Sequence, residues 1–540
     1  MTRYCHIDFE TRSVCDLRKA GAWRYAEDRS TEVLCLCWHD GAARVWLPGE
    51  STDALATLAA DPDCIFVAHN AQFEQAIWQH IMVEQYRLPP IPVKRWEDTM
   101  ASAAHMGLPL ALDDLAKIVG AEKDKAGYKL MMHLCKPAKP FKKPSPPFIV
   151  GERDDPTKPG FVDPTPYLQR LVQYCHQDVE VERVVERKLG LLRHTNRAER
   201  AIWLKDQEIN QRGVCLDMEF VSAALEVIER ATDPLLAEFR KITGGIAPGQ
   251  VAKVREWIAG QWQEIANLQM GTIDALLGTT EEEYDISRIA LPENVRRALE
   301  IRRMLGSVSI KKLKTMQTCV GDDGRARGLL QYHAASTGRW GGRLIQPQNF
   351  PRGDDGLRQR ADPSQIVDAI QTEDPEWVDL VLSLPAIEAV ASALRHAIIP
   401  GRGKTFLVGD FAGIEMRIVL ALAGQHDKCE LLASGRDVYL DMACDIYGRP
   451  RGSFTKDNVT ERQIGKNTVL GCGFQMGWPK FRERYCPDQP EEFAQRVVDA
   501  YRNQWAPMVP RLWYALGDAA LSAARGCPAA AYGVRYQLED

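Results

Sequence analysis

Two stretches of this chain have residue types and spacings suited to phosphate chemistry. The first is Asp410 to Ala423, DFAGIEMRIVLALA, where Asp410 closes the apolar run FLVGD and Glu415 opens an apolar helical pattern. The second is RQIGKNTVLGCGFQMG from Arg462. It spaces Arg462, Lys466, Leu470 and Phe474 four apart, which predicts one helical face. A strand-end carboxylate can hold a metal, and a helix edge with two cations can hold a triphosphate. The pair suggests phosphoryl transfer from a nucleotide, where catalysis is mostly positioning and charge neutralisation. A lone Asp at a strand end more often caps the next helix, and Arg and Lys at i and i+4 most often make a solvated face. The weight comes from the ordered set, with a further polar stretch upstream, HAASTGRWGGRLIQPQNFPR, His333 to Arg352.

The N-terminal third carries a second set of carboxylates. CHIDFET predicts a short strand with Asp8 and Glu10 on one face. CIFVAHNAQFEQAIW predicts a strand at 64–68, a turn at His69-Asn70 and a helix carrying Phe73 and Glu74. In LVQYCHQDVEVERVV, Tyr174 and Asp178 stand at i and i+4 of a helix. Acidic groups converging in this way repel one another unless divalent cations sit among them, and a two-metal arrangement then activates a water and stabilises the leaving oxygen. Oxygen ligands point to Mg²⁺ or Mn²⁺. Taken singly, Asn70 could be a helix cap, Tyr174 a core ring and Asp178 one more charge beside Glu180 and Glu182. Asp98, in WEDTM, is expected to support the carboxylates rather than to be a ligand.

These residues resemble the family A DNA polymerases, the bacteriophage type in particular, with an N-terminal DnaQ-like 3′–5′ proofreading exonuclease. The family's motif A, DYSxIELRVLA, falls on Asp410 as the metal-binding aspartate, Glu415 as the residue that blocks a ribose 2′-OH, and Arg417. Its motif B, RxxxKxxxFGxxYG, falls on Arg462 and Lys466, which grip the triphosphate; Leu470 replaces an aromatic and Phe474 a tyrosine. The element TGRLSSxxPNLQNIPR falls on Arg339, Gln348 and Asn349, which the resemblance assigns to primer-template DNA, with Gln346 in place of Asn. Minor-groove acceptors differ little between base pairs, so such contacts check pair shape rather than sequence. In the exonuclease, Asp8 and Glu10 match DxE, and Tyr174 and Asp178 match YxxxD. Glu74 stands where the family has Asp, and Tyr174 is implied to orient the attacking water. The resemblance implies Asp8, Glu10, Asp178 and Asp410 as metal ligands, two Mg²⁺ (or Mn²⁺) per active site, and dNTPs as substrates.

The totals bound the rest. A chain of 540 residues implies three or four domains. The net charge of −5 does not announce nucleic acid, so a DNA groove must be a local basic stripe. No apolar run is long enough for a membrane span and no signal peptide is evident, so no membrane partner and a cytoplasmic location, in a bacterial or phage-infected cell, are expected. The 14 cysteines show no paired zinc spacing; Cys35 and Cys37 alternate in a strand-like run, as reduced core thiols do.

The expected fold class is α/β plus α: an RNase H-like exonuclease domain over 1–194, then a right-hand polymerase domain. Within the latter, 195–330 is expected to hold the thumb, 331–425 the palm with motif A, and 426–540 the fingers with motif B. The Pro- and Lys-rich stretch 136–166 reads as a surface loop or as a basic arm for single-stranded DNA. Basic faces in KVREWI and ALEIRRMLGSVSIKKLKTM read as phosphate contacts or as solvated surface, and Arg395 as a candidate DNA or nucleotide contact. Asp437 opens DVYLDMACDIYG, similar to the family's DxHxxxA with Tyr439 in the His position. The family's motif C, usually HDE on a palm hairpin after motif B, has no counterpart in the sequence, and Glu539 or Asp540 would substitute only by coincidence. Three readings stay open: a piece of a longer polymerase, half of a split polymerase with a partner chain supplying the missing palm, or a 3′–5′ exonuclease with a DNA-gripping, incomplete polymerase portion.

Overall fold

CHIDFET lies in a ten-residue strand because its apolar residues have partners on both sides. In the computed structural model, which describes residues 3–138, 149–150, 160–189, 197–278, 291–306, 308–351 and 355–538, strand β1 (Arg3–Arg12) sits in the middle of a five-stranded sheet. It pairs antiparallel with β2 (Glu32–His39), which pairs antiparallel with β3 (Ala43–Trp46). On its other edge β1 runs parallel to β4 (Cys64–Ala68), and β4 parallel to β5 (Trp96–Asp98). The sheet order is β3-β2-β1-β4-β5. Cys5, Ile7 and Phe9 fill one face of β1 and pack with Leu36, Phe66, Trp78 and Trp96. The helix Leu168–Leu189 lies across β1 and β2 and buries Leu171, Tyr174, Cys175 and Val179.

The chain divides into two compact units, Met1–Thr405 and Phe406–Asp540. The rest of the first unit is mostly helical. Helix Arg197–Arg212 stops at Gly213, whose φ of 62° is left-handed; a Cβ there would stand 2.5 Å from the carbonyl oxygen of Ala326, so glycine fits on both counts. The chain then enters Val214–Leu216, the middle of a three-stranded sheet with Ile398–Ile399 and Arg325–Ala326. Helices around Met218–Thr243 make two cores, one with Phe220, Leu313 and Val390, the other with Phe239, Ile258 and Val295.

The second unit is a helical bundle closed by the hairpin Ala529–Ala531/Val534–Tyr536. Helix Ile414–Ala423 buries Met416, Leu420 and Ala423 in one core with Met442, Phe481, Tyr501 and Trp505. That shared core joins the motif A helix to helices within 426–512.

The apolar strand expected at FLVGD does not form. Residues 404–410 have no ladder, and Leu407 and Val408 are 97% and 95% exposed. An extended segment becomes a strand only where a neighbour satisfies its backbone and covers its side chains, and no described strand pairs with it. Most of the Pro- and Lys-rich stretch, Arg352, Glu539 and Asp540 lie outside the described residues. Among the described residues no single helix is long and apolar enough to cross a membrane; one bent pair, Pro375–Leu382 with Ala386–Ala397, passes by length and composition.

Candidate active site

The fold brings the N-terminal carboxylates together. Asp8 and Glu10 sit two apart on β1 and face the helix that carries Tyr174 and Asp178. Ligand atoms of Asp8, Glu10 and Cys175 lie within 4.8 Å of one another, and the Cys175 thiol donates to Asp8 Oδ2 at 3.4 Å. Glu74 reaches the same cluster from the first turn of Gln72–Ile77. Burial pushes the Asp8 carboxyl up to about 8, with the Asp178 charge adding to it. Glu10 is raised by burial, then by Asp8; Glu74 likewise by burial, then by Asp8. Burial, followed by the Asp178 charge, holds the Tyr174 phenol protonated.

Two carboxylate oxygens in this cluster, Glu74 Oε2 and Asp178 Oδ1, are buried with no hydrogen-bond partner. Such atoms are costly unless a cation or proton satisfies them. Carboxylates with orphaned acceptors fit hard divalent cations. One cation of the chain itself is already present. Lys123 Nζ stands 2.8 Å from Asp178 Oδ2 and 5.8 Å from the centre of the Tyr174 ring. Sequence reasoning missed Lys123; it lies in a turn between two helices, where no periodicity marks it. It also missed Gly127, where a Cβ would come within 2.6 Å of the Tyr174 ring, so only glycine lets helix Lys125–Leu134 close over that residue. Asp98, expected behind the carboxylates, is buried and accepts from the amides of Asn70 and Met100 at 2.9 and 2.8 Å. It anchors the turn before the Glu74 helix.

Arg339, Gln348 and Asn349 are all exposed: Arg339 on the loop that joins the two strands of the short ladder Leu330–Gln331/Gly341–Gly342, Gln348 and Asn349 on the turn that follows it. The backbone on either side of Gln348 and Asn349 is held from below. Buried Lys312 donates to the carbonyl of Ile345 at 2.8 Å, and Arg395 donates to those of Phe350 and Pro351 at 3.1 Å each. Arg395, read as a nucleic-acid contact, is thus engaged as a backbone clamp. Arg255 and Arg302 of the basic helices also bond backbone carbonyls, of Ile265 and Pro248, and Arg303 pairs with Glu388. Those cations are used within the fold, so the basic stripe is sparser than the sequence implies.

In the second unit, Arg462 and Lys466 lie on helix Val459–Cys472 as spaced. Arg462 pairs with Asp437 at 2.8 Å and lies over the Tyr439 ring. The other Asp437 oxygen accepts the amides of Tyr439 and Leu440, capping helix Val438–Tyr447. Lys466 is half-buried one turn on. Phe474 does not share their face: the helix ends at Cys472, and Phe474 stands 63% exposed in the turn beyond. Gly473 and the left-handed Gln475 (φ 65°) turn the chain there. Asp410 and Glu415 are exposed, and Asp410 belongs to none of the ligand clusters found among the described residues.

No protein-family model matches the chain. A DNA polymerase of Bacillus phage SP02 is 30% identical over 534 residues, spanning 96% of this chain and 76% of that polymerase. The chain belongs to the bacteriophage-type DNA polymerases. In fold, this polymerase is similar to the solved POL domain of Pol1 from M. smegmatis in complex with DNA primer-template and dNTP. The TM-score is 0.58 at 15% identity, over 98% of this chain and 78% of that one.

Proposed function

We propose that this DNA polymerase is a family A enzyme that carries its own 3′–5′ proofreading exonuclease. The observation that carries the exonuclease is the convergence of the Asp8–Glu10 pair with Asp178 and Glu74, each of which leaves one buried carboxylate oxygen without a hydrogen-bond partner. The sheet order β3-β2-β1-β4-β5, with a helix crossing β1 and β2, supports an RNase H-like domain.

In this reading Asp8, Glu10 and Asp178 hold divalent cations, Mg²⁺ or Mn²⁺, with Glu74 reaching in through its extra methylene. Bound there, the cations would supply a water of lowered pKa and neutralise charge on the phosphodiester. Tyr174 aligns the attacking water through its hydroxyl. Lys123 balances the carboxylates when cations are absent.

For synthesis, Arg462 and Lys466 grip the triphosphate of a dNTP, Glu415 excludes a ribose 2′-OH, Phe474 stacks at the nucleotide and Asp410 is a metal ligand. Arg339, Gln348 and Asn349 track the primer-template. The reaction is attack of a primer 3′-OH on the α-phosphate with pyrophosphate leaving. The compartment is the cytosol of a bacterial or phage-infected cell, which suits 14 free thiols.

A second reading is favoured by Asp410 itself, which is exposed beside the unpaired segment 404–410 and joins no described cluster. Here residues outside this sequence, or a partner chain, complete the palm. One assay separates the readings. A primer labelled at its 5′ end is annealed to a template and incubated with this chain and Mg²⁺, with and without dNTPs. Extension supports the self-sufficient enzyme, and shortening that dNTPs do not alter supports the second reading. The variant Asp8→Ala/Glu10→Ala should bind DNA and no longer shorten it; undiminished digestion rejects the exonuclease assignment.

A further inference from the structure

A second group of metal-ligating side chains lies in the first unit, built from residues the reactions above do not use. His105 ends helix Thr99–His105, Glu199 lies in the first turn of Arg197–Arg212, and His333 begins the polar loop that carries Arg339. Each offers a ligand atom, and the three atoms lie within 4.8 Å of one another. The two imidazoles meet edge to face, centroids 5.6 Å apart and planes at 73°.

The hydrogen bonding of this group is incomplete. Nδ1 of His105 and Nδ1 of His333 are both buried and neither has a hydrogen-bond partner. His105 Nδ1 stands 3.9 Å from Glu199 Oε1, too far for the ~2.9 Å of a hydrogen bond. A tetrahedral zinc with bonds of ~2.0–2.1 Å separates its donors by roughly 3.3 Å, so a small side-chain adjustment closes the gap around an ion. Leaving two buried imidazole nitrogens unsatisfied is costly, and a bound cation removes that cost. The Tyr332 hydroxyl donates to Glu199, the kind of outer contact that fixes a ligand carboxylate's orientation. The side chains of His105 and Glu199 are 28% and 25% exposed, which leaves an ion a way in.

We propose that His105, Glu199 and His333 bind a first-row divalent transition metal, of the zinc class, with an open fourth position. Two imidazoles and one carboxylate suit such an ion, whereas Mg²⁺ prefers an all-oxygen set. The ion ties the start of the loop bearing Arg339 to helices Thr99–His105 and Arg197–Arg212. The site therefore fastens the polar loop to the domain that holds the carboxylate cluster.

The test uses the full chain without a histidine tag, in the Asp8→Ala/Glu10→Ala background, stripped with chelator and held in excess Mg²⁺. Zn²⁺ is titrated by equilibrium dialysis, and Co²⁺ serves as its spectroscopic stand-in. The expected result is a single equivalent of tightly held Zn²⁺, a tetrahedral cobalt spectrum and a raised melting temperature. His105→Ala and His333→Ala should each weaken binding at least about tenfold. Glu199→Gln, which keeps a group for Tyr332 to bond, should weaken it too, and covers the case in which a histidine variant does not fold. Absence of stoichiometric binding, or binding that all three variants leave intact, overturns the proposal. So does an intense thiolate-to-cobalt band, which would put the ion on Cys35, Cys37 and Cys175, another compact ligand group among the described residues.

Discussion

Lys123 holds Asp178 at 2.8 Å, and both side chains are largely buried, 16% and 10% exposed. The Lys123 charge also opposes the upward shifts of Asp8, Glu10 and Asp178, so one ammonium serves the whole cluster. Replacing it leaves several carboxylates to share a low-dielectric site unaided. We expect Lys123→Met to lower the stability of the metal-free protein by about 2–4 kcal/mol, and Mg²⁺ to restore more of that loss than it adds to the parent chain. Melting curves in chelator and in Mg²⁺ measure both. Equal Mg²⁺ stabilisation of the two proteins would show that Lys123 does not occupy the place of a cation.

The raised carboxyls dictate a pH dependence with a definite sign. Asp8 ionises at about 8 in the folded chain, against an ordinary 3.8. The folded state therefore keeps a proton that the unfolded chain has released, and the stability present below about pH 4 is lost as pH rises through 8. Glu10 and Glu74 shift in the same direction. Metal-free protein should melt at progressively lower temperature from pH 5 to pH 8, and Asp8→Asn should flatten the slope by up to about 1.4 kcal/mol per pH unit. A slope unchanged by that substitution would move the titration to another group.

Tyr174 offers a cleaner separation of chemistry from packing. Its ring is buried among Leu171, Cys175 and Val179, while its phenol feels the charge of Asp178. Tyr174→Phe keeps the ring and removes the oxygen. Hydrolysis of a 3′ end should fall by roughly 10²-fold with stability changed by no more than about 1 kcal/mol. A large loss of stability with hydrolysis intact would make Tyr174 a packing residue only.

Much of this cluster was legible in the sequence because short-range geometry decides it. Asp8 and Glu10 share a face through the two-residue period of β1, and Tyr174 and Asp178 through the helical turn. Lys123 and Gly127 were not legible, since each matters only through a residue some 50 positions away, and nothing in local spacing reports that. Two local readings failed for the opposite reason. FLVGD has the composition of a strand but no described partner to pair with, and Phe474 has the spacing of Lys466 but lies beyond Gly473, where the helix has already ended. Arg395 shows a third limit: charge in a sequence does not say whether a guanidinium faces solvent or, as here, the carbonyls of Phe350 and Pro351.

The helix of Arg462 and Lys466 can be tested for packing and for binding separately, because Gly465 lies between them. A Cβ on Gly465 would fall 2.1 Å from the carbonyl oxygen of Tyr439, on the backbone of helix Val438–Tyr447. The backbones cannot stay that close around a methyl group, so Gly465→Ala should push the helices apart and destabilise the second unit by about 1–3 kcal/mol. It should also disturb the Arg462–Asp437 pair and raise protease sensitivity within 406–540. Lys466→Ala leaves that contact intact and removes the charge of a half-buried residue. It should weaken dNTP binding by about tenfold or more while duplex affinity changes little, as measured by dNTP-dependent stabilisation of a primer-template complex. Equal loss of both affinities would mean that this helix grips DNA and that the triphosphate is held elsewhere.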